Sequence, residues 1–149
     1  MRLFEESRGA SLKDVSWLRK AMSRRLSDLR LRPSLIYDLA LAGAEIMSNV
    51  ARHGAPAPQQ LSLAVDLIGS RVKISVGDDG GPFKDFFMRW PEAALNAAFL
   101  EGGGGRGLSL IREVLQDVTY ESDSSGNMLC GMVDLVAKQP VVLIFGSYT

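Results

Sequence analysis

The chain is poor in the residues that make covalent or metal cross-links, with one cysteine, Cys130, and one histidine, His53, among 149 residues. An internal disulfide is excluded, and so is a cysteine-rich or histidine-built zinc centre. An excess of charge is also lacking: 17 Lys and Arg balance 17 Asp and Glu. Without a net field nothing holds such a chain on a nucleic acid or an anionic membrane, and neither is expected as a partner. No apolar run approaches the ~20 residues that span a bilayer, and no cationic start followed by an apolar stretch marks a leader. The chain therefore reads as soluble and cytoplasmic. Aromatic residues are scarce, at 7%, and no internal repeat or low-complexity tract is visible.

What is present is enough to fill one core. A hydrophobic content of 46% over 149 residues predicts a single domain across 1–149. Met1 to Arg8 reads as a short edge strand. Ser11 and Asp14 offer capping chemistry ahead of Val15, Leu18, Met22, Leu26 and Leu29, whose helical spacing predicts a first amphipathic helix. Pro33 opens a second, longer one, in which Ile36, Leu39, Gly43, Ile46, Met47 and Val50 recur until Gly54 and two prolines end the pattern. Alternation over Leu61–Ile68 and Arg71–Val76, with Gly69-Ser70 between, predicts a hairpin. Pro82 to Gly105 reads as a mobile segment, followed by a third helix carrying Leu108, Ile111, Val114 and Leu115. Val118 to Tyr120 then pairs across the turn Ser124-Ser125-Gly126-Asn127 with the run beginning at Met128, and Val141 to Phe145 adds a further strand or a docking tail. Trp17, Trp90, Phe83, Phe86 and Phe87 read as core or lid packing and Cys130 as a buried strand residue. This order predicts an α+β two-layer sandwich, with helices on one face of a mixed, mostly antiparallel sheet.

Three separated stretches carry possible chemistry. In EIMSNVARHG, Glu45 and Asn49 are one helical turn apart, and Arg52 and His53 follow a turn later on the same face. A carboxylate there can take a proton from an attacking hydroxyl, and an amide oxygen can join the oxygen shell that Mg²⁺ prefers. Taken alone, the same residues also describe a solvated stripe opposite Ile46 and Val50. In VGDDGGPF, Asp78 ends an alternating strand, where its carboxylate can accept a hydrogen bond from an exocyclic amine such as that of adenine. Gly80 and Gly81 would let a planar ring approach the backbone, and Pro82 stiffens the exit, although D-D-G-G-P is also ordinary turn chemistry. In EGGGGRGLSLI, glycines from Gly102 to Gly107 run into a helix, so that backbone N–H groups and the positive helix end can face phosphate oxygens; a plain linker has the same composition. The loop is no P-loop, since no Gly-Lys-Ser/Thr follows.

These stretches together resemble the GHKL ATPases, which have the Bergerat fold. EIMSNVARHG is similar to their N box, VGDDGGPF to their G1 box, and GRGLSLIREVLQDVTYES with the following Gly-Asn strand to their G2 box and closing hairpin. The match covers about residues 12–136. Within that superfamily, the compact length and the form D-D-G-x-P-F most resemble the anti-sigma-factor serine kinases of the RsbW and SpoIIAB type. The resemblance implies ATP and Mg²⁺ as cofactors. It implies Glu45 as general base, Asn49 as magnesium ligand, and a nucleotide pocket formed with Arg52, His53, Asp78, Gly80, Pro82, Gly104, Gly105, Arg106, Gly107 and Leu108. Asp79 is then the spectator of the two acids. In these kinases a basic residue just ahead of the first G2 glycine assists transfer; Gly103 and Gly104 stand there in this chain, and Arg106 is the candidate substitute. The implied activity is phosphorylation of a serine or threonine on a STAS-type anti-anti-sigma partner, coupled to binding of a sigma factor, in a protein that forms a homodimer. An ATP-gated binding module without useful kinase activity, a histidine-kinase-type catalytic domain, and an α+β domain with no nucleotide site are the alternatives.

Overall fold

The computed structural model describes residues 1–82, 111 and 113–136. Its elements run β1 (Arg2–Gly9), α1 (Leu12–Asp28), α2 (Pro33–His53), β2 (Gln60–Ile68), β3 (Arg71–Asp78), β4 (Gln116–Asp123) and β5 (Gly126–Asp134). The strands form one sheet in the order β1-β2-β3-β5-β4. Each pairing in it is antiparallel, so the parallel component of the expected mixed sheet is not found among the described residues.

Local chemistry sets the helix ends. The Ser11 hydroxyl accepts from the Asp14 N–H at 3.1 Å while the Asp14 carboxylate accepts from the Ser11 N–H at 3.1 Å, a reciprocal cap that satisfies two otherwise orphaned donors at the start of α1. Pro33 occupies the first turn of α2, where its missing N–H costs nothing, and Gly54 closes the helix by donating to Val50 O at 2.9 Å. The hairpin at Gly69-Ser70 forms as its composition predicts, with Gly69 at φ +61° in the left-handed region.

The core lies between the two helices and one sheet face. Leu18, Met22 and Leu26 of α1 and Leu35, Leu39, Ile46 and Met47 of α2 are fully buried against Leu61, Leu63, Val65, Val72 and Ile74. Gly43 permits the close seating of α2, because a Cβ there would lie 3.2 Å from Ile74 Cδ1 and 3.6 Å from Leu63 Cδ1. Strand alternation continues the buried face of β3 through Val72, Ile74 and Val76 to Asp78, which therefore ends the strand on the helix side. Its cross-strand partner there is Asn127.

Some expectations are corrected. The second hairpin turns on Ser124 and Ser125 alone, and Gly126 and Asn127 are already strand residues of β5. The expected pairing of the two strands of this hairpin is found, with β4 at the sheet edge and β5 between it and β3. Trp17 is not a core residue: it is 40% exposed, and the Arg8 guanidinium stacks 4.0 Å from its ring centroid. Cys130 is on a strand but only half-buried, on the face away from the helices, 3.4 Å from Ser75 Oγ. Of the third helix, Ile111, Glu113 and Val114 are helical, and Leu115 lies just beyond its end. Phe83, Phe86, Phe87, Trp90, the glycine loop and the Val141–Phe145 strand lie outside the described residues. Among those described, no helix is long and apolar enough to cross a membrane.

The seating of α2 is testable. Gly43→Val adds volume where Ile74 and Leu63 already touch the helix, and should cost about 1–3 kcal/mol, read as a lower urea midpoint at an unchanged slope. An unchanged midpoint would mean that α2 does not lie this close to the sheet.

Candidate functional site

Two loops meet where α2 and β3 end. The loop leaving α2 passes through Gly54–Pro58 into β2, and the turn leaving β3 spans Asp78–Pro82. They are fastened by three hydrogen bonds: Gly81 N–H donates to Pro56 O at 2.8 Å, and Asp79 Oδ1 accepts from the N–H groups of Gln59 and Gln60 at 2.8 and 2.9 Å. Asp79 thus has a definite structural task, tying the start of β2 to the end of β3. The two backbone donors, Gln60 first and Gln59 second, hold its carboxyl below the ordinary range.

The glycines of this turn make room for backbone. A Cβ on Gly80 would lie 2.9 Å from both Pro56 O and Pro58 N, and one on Gly81 would collide with Ala55 O. The chain's own packing thus requires glycine at both positions whether or not a planar ring approaches them. Pro82, next in the chain, is exposed.

Asp78 is held by two neighbours. Its Oδ1 accepts from Gly80 N–H at 2.8 Å and from Asn127 Nδ2 at 2.9 Å. No described residue donates to the second oxygen, Oδ2, which leaves it able to accept from a ligand. Asn127 was not singled out from the sequence, where Ser-Ser-Gly-Asn looks like a turn. The signal was in the strand period: extending the buried series Val133, Gly131 and Leu129 back by two places puts a polar amide on the inner face.

On α2 the structure separates the four polar residues that the helical repeat grouped together. Asn49 is 5% exposed, whereas Glu45 is half-buried and Arg52 and His53 are exposed near the helix end. Asn49 Nδ2 is buried without a hydrogen-bond partner among the described residues. An unpaired amide in that position costs about 1–3 kcal/mol, which a ligand can recover. A solvated stripe does not describe a residue this deeply buried. Because nitrogen and oxygen of the amide exchange by a flip, the same position can present either a donor to a phosphate or an oxygen to a hydrated cation. The residues of Gly102–Gly107, with Arg106, and Leu108 lie outside the described residues.

The electrostatics favour the helix side of the sheet for an anion. A cleft of about 420 Å³ at this end of the sheet has Ser62, Gly77 and Met128 in its lining, and these face away from the helices. Four carboxylates, Asp78, Asp79, Glu121 and Asp123, line it, and none of the described lining residues is basic. Such a lining repels a triphosphate.

Comparison with known proteins agrees with this architecture. A family model described as a histidine kinase-like ATPase domain matches residues 9–131. Among solved structures, a chain of the SiaB–SiaC complex from Pseudomonas aeruginosa has the same fold, with a TM-score of 0.64 at 18% sequence identity over 89% of each chain. No curated protein matches the sequence significantly.

The Asp79 clasp gives a pH prediction. A carboxyl whose folded pKa is depressed contributes stability that is present above its unfolded value, here the ordinary 3.8, and is lost as pH falls through the folded value. Replacing Asp79 with Asn keeps an acceptor for Gln59 and Gln60 but removes the titration. The variant should therefore lose less stability than the parent as pH is lowered below about 4. Parallel acid-unfolding curves, followed by circular dichroism, would contradict the assignment.

Proposed function

The chain belongs to the histidine kinase-like ATPase family, and from that premise we propose that it is a Mg-ATP-dependent protein serine/threonine kinase and anti-sigma factor. Its substrate in this reading is a serine or threonine of a STAS-type anti-anti-sigma protein, and the phosphorylation state of that antagonist decides whether the domain holds it or a sigma factor. The observation that carries the nucleotide site is Asn49, a buried amide lacking a partner one helical turn from Glu45.

Each residue then has a chemical task. Asp78 Oδ2 accepts from the exocyclic amine of adenine. Gly80 and Pro82 shape the turn that carries Asp78, while Arg52 and His53 border the pocket at the end of α2. The Asn49 amide oxygen holds Mg²⁺, a donor type that a hard cation accepts; bound there, the ion neutralises phosphate charge. Glu45 takes the proton from the attacking hydroxyl as that oxygen bonds to the γ-phosphorus and the bond from this phosphorus to the β–γ bridging oxygen breaks, releasing ADP, and its half-buried position suits a general base. Backbone N–H groups of Gly104, Gly105, Gly107 and Leu108 cradle the phosphates, and Arg106 neutralises charge on the transferred group.

The protein partner has indirect support. The solved chain of the same fold was crystallised in a complex named for two proteins, SiaB and SiaC. A homodimer completes the proposal. A second reading, an ATP-gated binding module with little transfer, is favoured by Gly103 and Gly104 standing where the resembling kinases have a basic residue.

Two variants separate binding from transfer. Asn49→Ala should abolish Mg-dependent ATP binding. Glu45→Ala should bind ATP nearly as the parent does, yet lose transfer from labelled ATP to the partner by about 100- to 10,000-fold. Transfer at the parent rate in the Glu45 variant contradicts the general-base role, and parent binding without any transfer favours the gated module.

A further inference from the structure

We propose that Asn127, oriented by Ser122, is a positioning residue that sets which purine the Asp78 pocket accepts. The proposal rests on the nucleotide reading of that pocket, but the geometry behind it is independent of any ligand. Asn127 is 5% exposed and lies opposite Asp78 in the β3–β5 pairing. Its Nδ2 shares two hydrogens among Asp78 Oδ1 at 2.9 Å, Gly80 O at 3.1 Å and Gly81 O at 3.0 Å. Its Oδ1 accepts from Ser122 Oγ at 2.6 Å. Three acceptors around one end and a hydroxyl donor at the other fix the amide in a single orientation.

The consequence falls on Asp78. Its Oδ1 is already occupied by Gly80 N–H and Asn127 Nδ2, so rotation of the carboxylate would break both bonds. The backbone leaves little slack either, since a Cβ on Gly126 would collide with Asp78 O. What remains for a ligand is Oδ2, an atom that only accepts. An exocyclic amine satisfies it, whereas a purine carrying a keto oxygen at that position brings two acceptors face to face in a desolvated site. Selectivity thus depends on a residue that need not touch the nucleotide. Without the amide, Asp78 gains rotational freedom and the turn carbonyls of Gly80 and Gly81 lose their donor.

The test compares Mg-ATP and Mg-GTP by calorimetry on the full chain, its Asn127→Asp variant and its Ser122→Ala variant. Asn127→Asp is isosteric but turns the donor end into an acceptor. It should weaken ATP binding by about 10- to 100-fold, the loss expected for a misplaced charge-assisted hydrogen bond, while changing GTP binding little. Ser122→Ala removes one hydroxyl, from an exposed residue, and with it the hydrogen bond to Asn127 Oδ1, so it should fold as the parent does and lower the ATP-to-GTP ratio in the same direction, by less. Equal weakening of both nucleotides with a lower melting temperature would show Asn127 to be merely structural and overturn the proposal. If Asn127→Asp does not fold, an unchanged ratio in Ser122→Ala overturns it alone. A parent chain that binds ATP with variants that keep its selectivity refutes only this inference, whereas a parent that binds neither nucleotide removes the pocket itself and the inference with it.

Discussion

The alternation of strand β3 is the constraint on which the site depends. Val72, Ile74 and Val76 bury one face of the strand beneath the helices, and Asp78, two residues on, inherits that face. A slip of one residue would turn the carboxylate to the opposite face of the sheet and take it away from Asn127. Register is held on both flanks, by β2 from Leu61 opposite Asp78 to Ile68 opposite Arg71, and by β5 from Asn127 opposite Asp78 to Asp134 opposite Arg71. Packing therefore decides where the polar chemistry sits. Gly43 lets α2 lie close over the same strand, and that helix carries Asn49 into the interior.

Burial and charge then divide the molecule. Its net charge is zero, yet the two sides of the sheet differ in character at the strand ends. The helix side has the buried Asn49 amide, whose Nδ2 has no partner among the described residues, the cleft on the other side is lined by carboxylates, and Asp78 stands at the strand end between them. A neutral amide does not repel an anion as a carboxylate cluster does, so the helix side is where a nucleotide triphosphate can be tolerated. The clasp between the 54–60 and 78–82 segments keeps the two contributing elements together through backbone groups.

Much of this architecture was legible in the sequence because it arises from short-range periods. The cap at Ser11 and Asp14, the proline start and glycine end of α2, and the Gly69-Ser70 hairpin all depend on neighbours in the chain. The departures depend on contacts between distant residues. Gly80 and Gly81 are small because residues 55–58 press on them, which no local pattern reveals. Asn127 looked like a turn residue because Ser-Ser-Gly-Asn is turn chemistry, and its role is set by Asp78, which lies 49 residues away. Trp17, expected in core or lid packing, is exposed, and the stacked Arg8 guanidinium gives its ring a place at the surface. Helical spacing places Asn49 one turn from Glu45, but its depth follows from how α2 sits on the sheet.

The central claim is that Asp78 presents one committed oxygen to the fold and one free oxygen to an adenine amine. The most direct test is Mg-dependent ATP binding by calorimetry, on the parent chain and on Asp78→Asn. In the variant the amide oxygen must remain with Gly80 N–H and Asn127 Nδ2, which turns its NH₂ toward the amine of the base. The account predicts that the parent binds ATP and that the variant binds it at least about tenfold more weakly. Equal affinity in the two proteins, or no binding by the parent at millimolar ATP, would contradict it.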